Sequence, residues 1–322
     1  MKERFIIIFT DHVHRSVTFY HVLRQLNPVH TFVFFFSEIC FNGVPQGSTL
    51  GPLLFLLYIN DLPSSTNNDN IIVLFTDDTS IITSNPCIFN FRNDINSVLH
   101  HVQKWFNTNL IFLNWEKTHI MQFFTKNKLP NDLNIMCKDK KVSPVDRIKF
   151  LGLTLDNRLS WKTHIETLIS KLSAAIFSIR AMKPLLPLSS LKLIYYSYFH
   201  SILSYGIIFW GNSTHCNAIF KMQKRVIRIM TGLSNRESCR ECFKELKILP
   251  LQSQYLLSLL LFVVENPKHF SLNSEFHDHN TKNKCNLHLP STKLTVFQKG
   301  PSYSGIKAFN NLPTHLKETG PI

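Results

Sequence analysis

The sequence lacks the patterns that mark membrane proteins, secreted proteins and metalloproteases. No apolar run reaches the roughly 20 residues that a membrane-spanning helix needs, and the longest, residues 256–264, is much shorter. The apolar runs at residues 5–9 and 32–36 have no cleavable signal pattern around them. The 15 histidines include no His-Glu-x-x-His arrangement. We therefore expect no membrane partner and no metalloprotease site.

Cysteine is scarce and scattered. The 7 cysteines are an odd number, which is typical of a chain in a reducing compartment. Cys239 and Cys242 have the spacing of a zinc half-site, but no second close pair follows them. We therefore do not expect a zinc site.

Acidic residues are few compared with basic ones. The chain has 35 Lys and Arg against 21 Asp and Glu, a net charge of +14 and a pI of about 9.5. Residues 117–192 concentrate the excess, with 14 basic and 5 acidic side chains. This balance favours binding to phosphate backbones or other anionic surfaces. A solvated lysine-rich surface is the alternative.

Two adjacent acids, Asp77 and Asp78, separate two apolar β-branched runs in a pattern typical of a tight β-hairpin. Like charges this close repel each other, and a hard divalent cation such as Mg²⁺ removes the conflict. The pattern therefore indicates a metal site for phosphoryl transfer at the hairpin tip. An ordinary polar turn is the alternative, because aspartate is common in turns.

A loop rich in glycine lies 34 residues upstream of Asp77. Its glycines allow a ligand to approach the backbone, and Ser48 suits the N-cap of a helix predicted from about residue 47 to 61. Such a helix start leaves N–H groups available for an anionic ligand. Helical spacing of apolar residues predicts one buried face, formed by Leu50, Leu53, Leu54, Leu57 and Tyr58.

These segments resemble the reverse transcriptases of non-LTR retrotransposons, most closely the jockey-like group. Phe75-Thr76-Asp77-Asp78 is similar to the family's catalytic Phe-Ala-Asp-Asp or Tyr-Ala-Asp-Asp hairpin, which implies that Asp77 and Asp78 hold Mg²⁺. Thr76 departs from the alanine, and adds a methyl and a hydroxyl beside the metal ligands. The upstream loop looks like the nucleotide- and template-contacting segment, a role implied here for Gly43, Pro45, Gln46, Gly47 and Ser48.

The resemblance continues downstream, to about residue 313. Residues 113–118 are similar to the family's Leu-Asn-x-x-Lys-Thr segment, which implies that Lys117 assists the departing pyrophosphate. A solvated lysine at the start of a strand is the alternative. Residues 150–164 look like the hairpin that grips the primer and the start of the thumb. Residues 303–313 resemble a C-terminal signature of the same elements.

The first 42 residues do not fit the family. Two-metal catalysis needs a further carboxylate, which the family carries in a Phe-Asp-Thr-Val-Asp-His type segment upstream of the glycine loop. No such segment occurs in residues 1–42, and Asp11 has a different context. We expect this segment to be atypical and unrelated, the fingers to be missing, and the chain to be an N-terminally truncated enzyme.

The predicted fold class is α+β. The resemblance implies a polymerase right-hand palm over residues 43–156, with a split βαβ antiparallel sheet and helices on one face. A helical thumb or connection region follows over 157–266, and an irregular tail over 267–322. Helical periodicity supports this order in three apolar stripes. They are Ile95, Val98, Leu99, Val102 and Phe106; Ile165, Leu168, Leu172, Ile176 and Ile179; and Leu188, Leu191, Tyr195, Tyr198 and Ile202.

A further helix is predicted at about 216–231, with an apolar face formed by Ile219, Met222, Val226 and Ile229. An adjacent basic stripe consists of Lys221, Lys224, Arg225 and Arg228. Such a ridge can lie along a phosphate backbone, and an ordinary solvated face is the alternative.

The implied function is RNA-directed DNA polymerisation with Mg²⁺ as cofactor. The implied partners are an RNA template, a DNA primer and deoxynucleoside triphosphates, in an intracellular compartment, either nuclear or cytoplasmic. We expect the chain alone to polymerise poorly, because the third carboxylate and the fingers are missing. A non-enzymatic nucleic-acid-binding remnant and the product of a decayed reading frame are the alternatives.

Overall fold

The computed structural model divides the chain into two compact units, Met1–Phe150 with Leu155–Leu159, and Leu151–Thr154 with Ser160–Ile322. The structure describes residues 31–36, 39–40, 51–62, 71–75, 78–84, 88–110, 112–113, 118–124, 135–137, 140–142, 144–276, 284 and 286–317. The first unit mixes strands and helices and the second is helical. The predicted α+β class is therefore confirmed.

The strands, in chain order, are β1 (Thr31–Phe36), β2 (Ile39–Cys40), β3 (Ile71–Phe75), β4 (Asp78–Ser84), β5 (Phe112–Leu113), β6 (His119–Phe123), β7 (Ile135–Cys137), β8 (Lys140–Val142), β9 (Arg147–Phe150) and β10 (Leu153–Asp156). Four of them form an antiparallel sheet in the order β3-β4-β1-β6. The pairs β2–β5, β7–β8 and β9–β10 form small two-stranded sheets.

Strand β1 lies within residues 1–42, the segment that the sequence analysis expects to be atypical and unrelated to the family. It pairs with β4 on one side and with β6 on the other, so it is an interior strand. Its Thr-Phe-Val-Phe-Phe-Phe sequence is rich in aromatic and β-branched residues, which suit the pleated surface of a sheet. The apolar run at residues 32–36 therefore belongs to an interior strand of this sheet.

Among its described residues, the first unit contains the helices α1 (Gly51–Ile59) and α2 (Ile88–Thr108). Helix α2 buries all five residues of its predicted apolar stripe, which confirms that helix. These side chains share one core cluster with Ile81 of β4 and Ile120 of β6. The cluster therefore packs α2 onto the sheet that carries the aspartate hairpin.

The predicted buried face of α1 is wrong. Leu53, Leu54 and Leu57 are exposed, and Leu57 has 67% of its surface accessible. The helix instead packs through Phe55 and Ile59, which join the α2 core cluster. Because Gly-Pro-Leu-Leu-Phe-Leu-Leu-Tyr-Ile is apolar on every side, its periodicity does not select a face.

The helices of the second unit are α3 (Lys162–Met182), α4 (Leu188–Ile194), α5 (Ser201–Ser204), α6 (Ile207–Trp210), α7 (Cys216–Thr231), α8 (Arg240–Glu245), α9 (Leu251–Glu265), α10 (Thr295–Gln298), α11 (Pro301–Asn310) and α12 (Thr314–Lys317). Helix α3 buries its whole predicted stripe, from Ile165 to Ile179. Helix α7 has the predicted bounds.

Helices α4 and α5 are joined by a π-helical segment, Tyr195–His200, which changes the buried face from the predicted one. Leu188 and Tyr198 are exposed, and the buried positions are Leu191, Tyr195, Phe199 and Leu203. A π turn has more residues than the 3.6 of an α turn, so contacts that recur every four residues stay on one side. The stripe predicted over residues 188–202 assumed a uniform α-helical period.

The buried face of α7 is also rotated from the predicted one. Ile219 and Val226 are buried as expected, but Gln223 is fully buried where Met222 was predicted. The Gln223 amide donates hydrogen bonds to the Tyr195 hydroxyl at 3.0 Å and to the Leu249 carbonyl oxygen at 2.9 Å. Its oxygen accepts one from the Leu251 N–H at 2.9 Å. These three bonds offset the desolvation of the amide.

The predicted irregular tail contains a packed helix. Helix α11 lies within residues 267–322 and buries Ile306. It approaches α9 closely, because a Cβ added at Gly305 would lie 2.8 Å from Val263 Cγ2. The sequence analysis did not predict this helix, because the segment before it is polar.

Candidate catalytic and nucleic-acid-binding site

The predicted aspartate hairpin is present as the pair β3–β4. Its antiparallel register matches Phe75 with Asp78, and the two strands are joined by residues 76–77. Asp78 is therefore the first residue of β4. Thr76 and Asp77 lie outside the described residues, and the side chain of Asp78 is not described.

Strand β4 gives the hairpin a buried base. Residues Thr79 to Thr83 are all buried, because β4 pairs with β3 and β1 and lies in the interior of the sheet. Thr79, Ser80 and Thr83 are polar residues within this buried strand. The hairpin tip is thus directly followed by an interior strand. A rigid element of this kind can hold a reacting group in place.

The other predicted catalytic and nucleotide-binding residues lie outside the described residues. These are Gly43, Pro45, Gln46, Gly47, Ser48 and Lys117. The described residues that flank them in the chain are Cys40 of β2 and Gly51, where α1 begins, for the loop, and Thr118, a buried residue just before β6, for Lys117.

The structure describes the four cations of α7 in full. Lys221 and Arg225 are exposed and lie one turn apart, so they point from the same face of the helix. The sequence of α7 contains no acidic residue. This face can therefore approach a polyanion without repulsion from carboxylates on its own helix.

The other two cations of α7 also contact the protein. The Lys224 ammonium lies 4.8 Å from the centroid of the Phe220 ring, within the range of a cation–π interaction. The Arg228 Nε donates a hydrogen bond to the Glu237 carbonyl oxygen at 2.8 Å. Both side chains are half-buried. The predicted stripe is therefore two exposed cations beside two that also stabilise the helical unit.

Two cations that we did not predict as binding residues lie on β9. Arg147 and Lys149 are exposed and two residues apart, so they occupy the same face of the strand. The alternation Arg-Ile-Lys-Phe is the sequence signal that predicts this arrangement. They give the β9–β10 hairpin a basic edge.

No group of three or more His, Cys, Asp and Glu side chains with metal-binding proximity occurs in the part of the chain that the structure describes. Within that same part, no helix combines the length and apolar character needed to cross a bilayer.

Residues 18–155 match the family described as reverse transcriptase (RNA-dependent DNA polymerase), a family that uses divalent metal ions. The match begins upstream of residue 43 and includes β1. It also includes the aspartate hairpin and ends within β10.

Curated relatives give the same result. The chain is 28% identical over 198 residues to a probable RNA-directed DNA polymerase from transposon X-element of Drosophila melanogaster, covering 59% of this chain and 22% of that protein. It is 27% identical over 221 residues to the RNA-directed DNA polymerase from mobile element jockey of the same organism, covering 64% of this chain and 24% of that protein. The chain thus spans less than a quarter of these relatives.

Proposed function

We propose that this chain, whose residues 18–155 belong to the reverse transcriptase family and which is related to the jockey-like non-LTR retrotransposon enzymes, is part of an RNA-directed DNA polymerase. The β3–β4 hairpin is the observation that supports the proposal. Strand β4 begins at Asp78, the residue directly after Asp77. In this proposal the first unit is the palm and the helical unit is the thumb. The substrates are deoxynucleoside triphosphates and a DNA primer on an RNA template, in an intracellular compartment.

The donor chemistry of the hairpin fits a hard divalent cation. Asp77 and Asp78 are adjacent, and carboxylate oxygens are the ligands that Mg²⁺ prefers alongside substrate phosphates. Bound Mg²⁺ stabilises the negative charge that develops on the reacting phosphate. Gly43, Pro45, Gln46, Gly47 and Ser48 shape the nucleotide and template pocket. Lys117 supplies a proton or a positive charge to the departing pyrophosphate.

The basic face of α7 supports a role in holding nucleic acid. The exposed Lys221 and Arg225 contact phosphates of the primer–template duplex, and the half-buried Lys224 and Arg228 add positive charge behind them. This observation also favours a second candidate function, nucleic-acid binding without catalysis. The two differ in whether the aspartates are needed.

A metal titration of the purified chain tests the catalytic site. We expect Asp77→Asn and Asp78→Asn each to weaken Mg²⁺ binding at least about tenfold, since each removes a charged ligand. Asp61→Asn is the matched control, because Asp61 is exposed and lies outside the hairpin. Unchanged Mg²⁺ binding in both hairpin variants contradicts the proposed site.

Primer extension by the same proteins separates the two functions. We expect little or no extension by the chain alone, with duplex binding that survives Asp77→Asn. Robust extension that Asp77→Asn abolishes would establish the catalytic site and contradict the expected inactivity. Absence of any duplex binding contradicts both candidate functions.

A further inference from the structure

The turn of the β9–β10 hairpin has an unfavourable backbone conformation. Leu151 and Gly152 connect the two strands, and both have positive φ angles, 46° and 81°. A two-residue hairpin connection of type I′ requires positive φ at both positions, which Asn-Gly adopts readily. Leucine at the first position does so only with strain, because its Cβ clashes with the backbone. Something in the surrounding structure must therefore hold Leu151 in place.

Tyr205 contacts both residues of this turn. Its hydroxyl donates a hydrogen bond to the Leu151 carbonyl oxygen at 2.5 Å. Its ring lies against the other turn residue, because a Cβ added at Gly152 would be 3.1 Å from Tyr205 Cε1. The next residue, Gly206, approaches Leu153 so closely that an added Cβ would lie 2.8 Å from Leu153 Cδ2.

Further contacts join the segment that follows Tyr205 to residues 160 and 161. Phe209 stacks on Trp161 with ring centroids 6.4 Å apart, and Trp161 itself has a positive φ of 64°. The Ser213 hydroxyl donates a hydrogen bond to the Ser160 carbonyl oxygen at 3.1 Å. The Trp210 indole N–H donates one to the Tyr205 carbonyl oxygen at 3.1 Å, which fixes the segment itself. These interactions all lie within the helical unit.

We propose that Tyr205 is a positioning residue for the β9–β10 hairpin, whose strained Leu151–Gly152 turn it holds in the left-handed conformation. Tyr205, Leu151 and Gly152 all belong to the helical unit, so this control of the turn acts within one unit.

Tyr205→Phe isolates the hydroxyl, because the ring and its contact with Gly152 remain. We expect amide hydrogen exchange in a peptide covering residues 147–156 to become about fivefold faster, the effect of losing one hydrogen bond. Tyr196→Phe is the matched control, since the Tyr196 hydroxyl also donates to a backbone carbonyl, that of Lys247, at 3.1 Å. This control should leave exchange in the hairpin unchanged.

A rescue variant separates positioning of the turn from general stabilisation. Leu151→Asn creates an Asn-Gly turn that favours type I′ without help. In that background Tyr205→Phe should no longer accelerate exchange, and Leu151→Gly gives a second background if the asparagine variant folds poorly. Equal acceleration with and without the turn substitution, or none in either background, overturns the proposal.

Discussion

His164 illustrates how the helical unit sets the chemistry of one residue. Its side chain is buried between aromatic rings, with centroids 6.0 Å from Trp161 and 6.2 Å from Trp210. Its Nδ1 accepts a hydrogen bond from the Thr154 N–H at 3.3 Å. Burial, and secondly the positive charge of Lys171, lower the pKa of His164 from 6.5 to about 4. The residue is therefore neutral in the folded protein at neutral pH.

This lowered pKa predicts a loss of stability in mild acid. Between pH 6.5 and about 4 the unfolded chain binds a proton at His164 that the folded chain does not, so stability falls as pH falls through this window. We expect His164→Gln to reduce the pH dependence of the urea midpoint between pH 7 and 4. His215→Gln, a change at an exposed histidine, is the control. A pH dependence that His164→Gln leaves intact would contradict this account.

At the scale of elements, α7 combines a structural face with a basic face. Its buried side includes Gln223, which bonds to Tyr195, Leu249 and Leu251. Its exposed side carries Lys221 and Arg225. Because these two cations do not belong to the buried face, they can be changed with little effect on packing.

The exposed cations of α7 should determine part of the salt dependence of duplex binding. Each phosphate contact adds about 0.9 to the slope of log K against log salt concentration. We expect Lys221→Gln with Arg225→Gln to reduce this slope by about 1.8, as measured by fluorescence anisotropy. The control, Arg236→Gln with Arg240→Gln, removes the same charge at exposed positions near Glu237 and Glu241. An equal loss of slope in both double variants would indicate only a general charge effect.

At the scale of the whole molecule, the chain passes between its two units at the β9–β10 hairpin. Residues Leu151–Thr154 belong to the helical unit, although the residues on both sides of them belong to the first. Leu153 is fully buried there against Gly206, and Thr154 bonds to His164. A domain boundary between residues 156 and 157 would therefore separate the helical unit from residues 151–154, which include part of its core.

This division predicts the behaviour of two fragments. We expect a fragment of residues 151–322 to unfold cooperatively and to be more stable than one of residues 160–322. The shorter fragment loses the burial of Leu153 and the bonds to Tyr205 and His164, a difference of about 2–4 kcal/mol. Urea denaturation followed by far-UV circular dichroism measures it. Equal midpoints would show that the turn adds nothing to this unit.

The sequence was sufficient to predict the buried face of a long helix in which apolar residues recur with one regular period. The stripes of α2 and α3 were predicted residue by residue, because a regular α-helix that packs on one side buries every third or fourth residue. The β3–β4 hairpin was predicted for a similar reason, since two β-branched runs flank a short polar break. The same hairpin and its upstream loop carried the resemblance to the family whose description residues 18–155 match.

Tertiary structure decided the features that depend on what an element packs against. An all-apolar helix such as α1 has no intrinsic inner face, and the pairing of β1 inside the sheet depends on strands far away in the chain. Likewise, the left-handed turn at Leu151 departs from the preference of leucine, and the Tyr205 hydroxyl that bonds to it comes from a segment far away in the chain. Local periodicity and residue type are written in the sequence, whereas the choice among equally apolar faces and the support of a strained backbone arise only when distant segments meet.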